Sequence, residues 1–389
     1  MKRLKIAIIA HGCRTGGGLF GTLNLLRAFK NVAENEQFLL VCSAGYGYED
    51  IELPEDSELF IYNGRHNPIE RSWFESITLP KVVGSYDPDV IFGLANIGLT
   101  KPSVPQALFI RQAYLFYDKR YYPDIHLRLR LRIAALKSQI KKSLPGTKLI
   151  FGQTPIVRRR FSNEFCYPEG RIKIVRFPAP AEISPVPGLE APSVFDKSSG
   201  NFYILLLTRY MPHRNPSVLI PLCRNYGGEV RSKHIKFITT IELEDDYRAG
   251  KFLREISRND LEDIIINVGD LSREEVLRYF CFSDAFWFPT TLETLGIPFI
   301  EAMRMGVPIL APDIDFARYV CGEAALFYNP WDIKSIFSRI MLVRDNAAIR
   351  QQLVEKGKRE LGNRKKFSES WEEVAADVLR ELRLLVKSG

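Results

Sequence analysis

The sequence predicts an α/β protein made of two doubly wound domains, each a parallel sheet with helices on both faces. Short, continuous apolar runs rich in β-branched residues alternate with helix-like runs along all 389 residues. A single Pro- and Ser-rich stretch, from Pro178 to Gly200, breaks that alternation near the middle. Strands buried on both faces read as unbroken apolar runs, because helices cover each side of a parallel sheet. The length suits two domains of ordinary size, enough for two full cores.

In the first half the strand-like runs are Lys5–Ala10, Phe38–Cys42, Leu59–Tyr62, Val90–Leu94, Ala107–Ile110 and Lys148–Phe151. In the second they are Phe202–Thr208, Ile235–Thr239, Ile264–Val268, Ala285–Pro289 and Pro308–Ala311. The expected boundaries are a first domain over 1–180, a linker over 181–200 and a second domain over 201–366. A last helix is expected from Ser368 to Val386. Ser370 and Glu373 have capping-box spacing there, and Trp371, Val374, Val378, Leu382 and Leu385 form an apolar stripe.

The apolar and charged fractions are those of a soluble globular protein. No apolar run approaches the ~20 residues needed to cross a bilayer. The run after Lys5 is shorter than a signal-peptide core and leads into a glycine loop, so it reads as a buried strand of a cytoplasmic protein. The six cysteines are scattered without C-x2-C spacing, which suggests neither a zinc site nor a redox pair; they read as small buried hydrophobes. The net charge is +8 and unevenly spread. Between Lys119 and Lys142, Arg120, Arg128, Arg130, Arg132, Lys137 and Lys141 interleave with Leu127, Leu129, Leu131, Ile133, Leu136 and Ile140. Such a segment (119–142) suits peripheral contact with an anionic membrane, or else is a solvated helix face. No helix-turn-helix, zinc-knuckle or RRM signature accompanies it, which argues against nucleic acid.

The most informative stretch runs from Pro289 to Met303. Glu293 and Glu301 lie eight residues apart, with the turn Thr294-Leu295-Gly296-Ile297 between them. Pro298 marks a helix start and Gly306 its end. A turn that feeds a helix N-terminus suits a phosphorylated ligand, and glycine there permits a left-handed backbone and close approach. The plainer alternative is an ordinary turn flanked by surface acids. Yet Glu301 sits among apolar residues, where a carboxylate without a partner is costly. Upstream, a strand ends in Thr208-Arg209 and a basic loop carries His213-Arg214, followed later by Asn267-Val268-Gly269-Asp270.

In order and spacing these pieces, from about Tyr203 to Lys365, resemble the donor-binding half of family 4-type retaining glycosyltransferases (group 1) of the GT-B fold, with their E-x7-E motif. The resemblance implies two Rossmann-like domains with the active site between them, domain closure about Pro178–Gly200, and a last helix (367–389) that crosses back to the first domain. It implies a nucleotide-diphosphate sugar as donor substrate and a glycan or lipid-linked acceptor, typically in surface polysaccharide synthesis. Arg209 and Arg214 would hold the diphosphate; the usual second residue is lysine, so Arg214 is a departure. Arginine can grip phosphate bidentately, whereas lysine acts as a point charge. Glu301 would accept from the nucleotide ribose, and Glu293 would bind a donor-sugar hydroxyl and favour positive character on the ring. Thr294 to Ile297 would face the phosphates or sugar, and Val268 and Gly269 the base. His213 reads as a bystander.

The first loop, His11 to Gly21, matches G-x-G-x-x-G literally. The next strand ends in Ser43 with no acid, which argues against NAD. Gly17 and Gly18 instead match the glycine loop that faces the donor in GT-B enzymes. Relatives carry histidine after a middle strand of the first domain; here the sequence is Arg111-Gln112-Ala113-Tyr114, and Arg111, Gln112, Tyr114 and Asp118 are acceptor-pocket candidates. Asp313-Ile314-Asp315 resembles a metal-binding D-x-D, but its place after a late strand argues against that role. No metal and no cofactor are expected. A non-catalytic nucleotide-sugar binder and a GT-B sugar-nucleotide epimerase are the rival readings.

Overall fold

The computed structural model describes residues 3–64, 67–123, 125–179 and 190–387. Residues 181–189 of the expected linker, and much of the expected hinge, lie outside these. The chain divides into two units: Met1–Tyr117 with His126–Pro178 and Arg364–Gly389, and Asp118–Ile125 with Ala179–Asn363. The short Asp118–Ile125 segment thus clusters with the second unit, although it lies within the range expected for the first.

The first unit is built on β1 (Leu4–Ile9), β2 (Glu36–Ser43), β3 (Glu58–Tyr62), β4 (Val90–Gly93), β5 (Gln106–Phe109), β6 (Thr147–Gly152) and β7 (Ile172–Ile174). Its sheet has the order β3-β2-β1-β4-β5-β6-β7, parallel throughout. The second unit is built on β8 (Phe202–Leu206), β9 (Ile235–Thr239), β10 (Ile265–Asn267), β11 (Ala285–Trp287), β12 (Ile309–Pro312) and β13 (Ala325–Tyr328). It runs β10-β9-β8-β11-β12-β13, also parallel. The apolar runs marked every strand except β7 and β13, which are short edge strands. In each sheet the chain order reverses at the first strand, between β1 and β4 and between β8 and β11. Open parallel sheets bind ligands beyond the C-terminal strand ends at such a switch point. The loops after β1, β8 and β11 are those that carry the glycine run, Arg209 and Arg214, and the two-glutamate turn.

Both cores follow from the unbroken apolar strands. Ile6, Ile8, Phe38, Leu40 and Phe92 are fully buried in the first unit, as are Ile204, Phe237, Phe286 and Trp287 in the second. Trp287 Nε1 donates to the hydroxyl of Tyr328, 2.8 Å away, which satisfies two polar groups inside the second core. The last helix, Trp371–Lys387, belongs to the first unit and lies on helix Gly16–Val32. Val374, Val378 and Leu382 of the expected stripe are buried, and Trp371 meets Phe177 at 4.7 Å between centroids. Ser370 caps it by accepting from the Glu373 amide. The Glu373 carboxylate accepts from the Glu369 amide and from Arg364 rather than from the Ser370 amide, so the capping box is only half formed.

Gly93 ends β4 where the backbone doubles back. A Cβ at this position would lie 2.2 Å from the carbonyl oxygen of Ile97. Backbone cannot yield as a side chain can, so Gly93→Ala is expected to lower unfolding stability by about 1–3 kcal/mol, read from the denaturant midpoint.

Candidate functional site

In the second unit, β8 runs out into the single 3-10 turn Pro212–Arg214, whose position is fixed by Thr291. The His213 carbonyl accepts from the Thr291 amide at 2.7 Å and from its hydroxyl at 2.9 Å. The same hydroxyl also reaches the Tyr121 carbonyl. The His213 backbone is therefore part of the scaffold. Its ring is buried, and burial, with Arg214 adding, pushes its pKa down to about 3, so it is neutral at physiological pH.

This arrangement sets Arg214 beside Glu293, with Nε 3.8 Å from Oε1. Arg214 Nε is buried and has no hydrogen-bond partner among the described residues. Burial pushes the Glu293 carboxyl above its ordinary range, and Arg214 pulls it part of the way back. Glu293 nevertheless keeps 20 % of its side chain in reach of solvent. Two opposite charges, desolvated yet accessible and loosely paired, can turn toward a polar ligand at little cost.

Beyond Glu293, Thr294 and Leu295 are buried and Gly296 adopts φ 80° as the cap of helix Ile297–Arg304. Pro298 sits in its first turn and Ile297 is half-buried. Glu301, buried in that helix, is bound by Arg273 Nη1. The carboxylate that the sequence showed to need a partner thus has one, which sequence reading missed. The only signal was the capping box of Ser272 and Glu275, which puts Arg273 first in its helix.

Arg209 has other partners. It is exposed, bonded to Asp270 at 3.0 Å and 3.8 Å from Asp245. Val268 donates to the Thr239 carbonyl, and Gly269 takes φ 75° so that the Asp270 amide reaches Glu242 at 2.7 Å. The Asp313 carboxylate is engaged bidentately by Arg318. Among the described residues no three His, Cys, Asp or Glu side chains gather in a group suited to a metal.

In the first unit the glycine run is not a free loop. Gly16, at φ 58°, opens helix Gly16–Val32, so Gly17 and Gly18 form its first turn. A Cβ at Gly16 or Gly18 would meet open space. Arg111, expected as a pocket residue, is committed to this turn. Its guanidinium donates to the Gly18 and Leu94 carbonyls, each at 2.9 Å, and to Thr22 and the sulfur of Cys13. The Arg111 and Gln112 amides both donate to Asn96. Tyr114 is buried, and Asp118 caps a 3-10 turn by accepting from the Arg120 amide. The expectation that all cysteines are buried fails at Cys166, which is exposed.

A second buried cluster went unread in the sequence. His11, at the end of β1, donates from Nε2 to Glu75 at 3.0 Å. Glu75 lies in a π turn, Phe74–Thr78, between helices Pro68–Trp73 and Leu79–Tyr86. Arg71 Nε and Gln139 Nε2 also donate to it, each at 2.7 Å. Burial alone would raise the Glu75 carboxyl, but the bonds from His11 and Arg71 and the Arg71 charge outweigh it and bring the pKa from 4.5 to about 2. Burial lowers His11, which stays neutral with Nδ1 unprotonated and, among the described residues, unpartnered.

The sign of the pH dependence follows. A carboxylate whose folded pKa is depressed stabilises the fold above its unfolded value and loses that contribution as pH falls through the folded one. The protein should therefore lose on the order of 3 kcal/mol between pH 4.5 and about pH 2 through Glu75. Buried, neutral His11 adds to the loss as pH drops below its ordinary 6.5. Glu75→Gln should flatten the lower part of that decline, as read from Tm against pH.

Residues 194–360 match the family described as Glycosyl transferases group 1. The chain is 24% identical over 280 residues to the O-antigen chain mannosyltransferase B of Escherichia coli, covering 71% of each chain. Among solved structures it resembles WaaG, a glycosyltransferase involved in lipopolysaccharide biosynthesis, with TM-score 0.72 and 13% identity over 96% of this chain and 99% of that one. Anabaena Alr3699/HepE in complex with UDP-glucose aligns with TM-score 0.71 and 15% identity, over 97% of this chain and 100% of that one.

Proposed function

Because the chain is a group 1 glycosyltransferase of the GT-B fold, we propose that it is a retaining, metal-independent enzyme that moves a hexose-type sugar from a nucleotide-diphosphate donor to a glycan or lipid-linked acceptor in surface polysaccharide synthesis. The observation that carries this reading is the loosely held Arg214–Glu293 pair just upstream of the helix mouth at Gly296. In this mechanism the bond from the anomeric carbon to the diphosphate breaks, and negative charge gathers on the departing phosphate. Arg214, joined by Arg209, stabilises that charge together with the amides of the turn and the helix dipole. Glu293 binds a donor-sugar hydroxyl and favours positive character on the ring. The departing phosphate oxygen takes the acceptor proton while the new bond forms on the same face. Glu301 accepts from the ribose hydroxyls, and Val268 and Gly269 read the base.

The reading places the protein in the cytoplasm, at the inner face of the membrane. Among the described residues no helix is long and apolar enough to cross a membrane. In helix Leu127–Ser143, Leu127 and Leu131 stand exposed among arginines, which supports peripheral contact.

The test is incubation with UDP-, GDP-, ADP- and CMP-sugars, with and without a chelator, followed by NMR of the product anomer. Donor cleavage with retained configuration and indifference to chelation is expected. Nucleotide binding without cleavage of any donor would instead favour a silent binder. An inverted anomer or loss of turnover on chelation would overturn the mechanism.

A further inference from the structure

The second unit holds a cavity of about 420 Å³ that is lined by none of the residues assigned to the donor or the acceptor. Small-ligand sites span about 300–1,000 Å³, so one fits here. The walls come from the chain that follows β8, β9, β11 and β13, and from Asp118–Ile125, all within this unit. Pro212 lines the cavity, while Arg214, on the same 3-10 turn, meets Glu293. That turn therefore separates the cavity from the Arg214–Glu293 pair. Thr291, also in the lining, ties the Tyr121 and His213 carbonyls together through its hydroxyl and fixes this wall.

The lining has two chemical characters. One is aromatic. Tyr210 is buried against Phe252, with 5.8 Å between centroids, and Tyr121 meets Trp331 edge to face at 6.1 Å. Trp331 is 51 % exposed, so half of a large ring system is left over from core packing. The other character is polar, with donors set beside acceptors. Arg248 Nε bonds Asp246 at 3.0 Å, and Lys251 Nζ lies 3.8 Å from Glu255. The Arg120 guanidinium lies over the Tyr121 ring, its carbon 5.0 Å from the centroid. Asn215 and Ser217 add a neutral amide and a hydroxyl. A hydroxyl both donates and accepts, so paired donors and acceptors suit a ligand rich in hydroxyls. Apolar rings suit the C–H face of the same ligand. A sugar unit presents both faces; inorganic phosphate and a lipid chain each present one.

We propose that this cavity is a saccharide subsite of the second unit, holding a neutral sugar of the glycan substrate other than the one that reacts. This rests on the glycosyltransferase reading, under which a glycan is extended. Trp331 is the stacking platform. The ion pairs at Arg248 and Lys251 bond the hydroxyls. Lys251 is the adaptable member, since its side chain is mostly in solvent and its hold on Glu255 is loose.

The experiment is ligand-observed NMR titration of the full chain. The probes are the methyl α-glycosides of mannose, glucose, galactose and N-acetylglucosamine, which stand in for a sugar inside a chain, and inorganic phosphate. At least one glycoside should bind. Its affinity should fall about tenfold or more in Trp331→Ala and less in Trp331→Phe, which keeps an aromatic face. Trp331 is half exposed, so both variants should fold, as their Tm values will show. UDP and GDP affinity should be the same in the parent chain and both variants. The proposal is overturned if no glycoside binds, if binding survives Trp331→Ala, or if inorganic phosphate displaces the bound glycoside. A nucleotide affinity that falls in Trp331→Ala also overturns it, since the cavity would then belong to the donor. Nucleotide affinity and donor cleavage by the parent chain report separately on the glycosyltransferase reading, so the two can fail independently.

Discussion

Replacing Arg214 by alanine should lower kcat for sugar transfer by about a hundredfold to a thousandfold, the usual cost of removing a preorganised donor to a developing charge. Arg209→Ala should cost less and act mainly on KM. Arg209 is exposed and already bonded to Asp270, so it must exchange one anion for another when a donor arrives. Among the described residues the one carboxylate paired with Arg214 is Glu293, at a loose 3.8 Å, and its Nε is held dry. Equal losses in kcat from the two substitutions would refute this division of labour. Arg214→Ala also leaves Glu293 buried without its cation. With the folded pKa already raised by burial, this carboxyl favours the fold when protonated and disfavours it as pH rises through the folded value. The variant should therefore lose Tm relative to the parent chain as pH rises above the ordinary carboxylate value.

The second large effect is on stability. Arg111→Leu should cost about 2–3 kcal/mol, read from the denaturant midpoint, because it removes charge-assisted bonds to the Gly18 and Leu94 carbonyls and leaves them only the Thr22 hydroxyl and the Cys13 thiol. The same side chain stacks on Phe109, with 4.8 Å from its guanidinium carbon to the ring centroid. Arg111→Lys should fall between, since an ammonium cannot span Gly18, Thr22 and Leu94 at once. If Arg111→Leu were as stable as the parent, the guanidinium would not be what fixes the first turn of helix Gly16–Val32.

What the sequence disclosed and what it hid divide by physical cause. The central strands were legible because burial on both faces leaves unbroken runs such as Ile6 to Ala10 and Ala285 to Phe288. β7 was not, because three residues carry too little pattern against the surrounding loop. The turn from Glu293 to Glu301 was legible because glycine and proline each have one good place at a helix start. Their partners were not: Arg273 meets Glu301 across 28 residues, and His11 meets Glu75 across 64. Such pairs are set by how helices lie on the sheet, and no local spacing records them. Arg111 shows the converse. Its position after a middle strand marked it for a ligand, yet the fold spends its donors on the glycine turn.

The π turn at Phe74–Thr78 sets which way the helix before it faces. A π turn closes its hydrogen bonds one residue later than an α turn. Deleting a residue there would restore an ordinary helix and swing everything before it by about 100°. Leu79, Val83 and Tyr86 would stay in the core, while Arg71 would rotate off its post. One residue more than an α turn holds is enough to bring Arg71 onto the acid that meets His11 after the first strand.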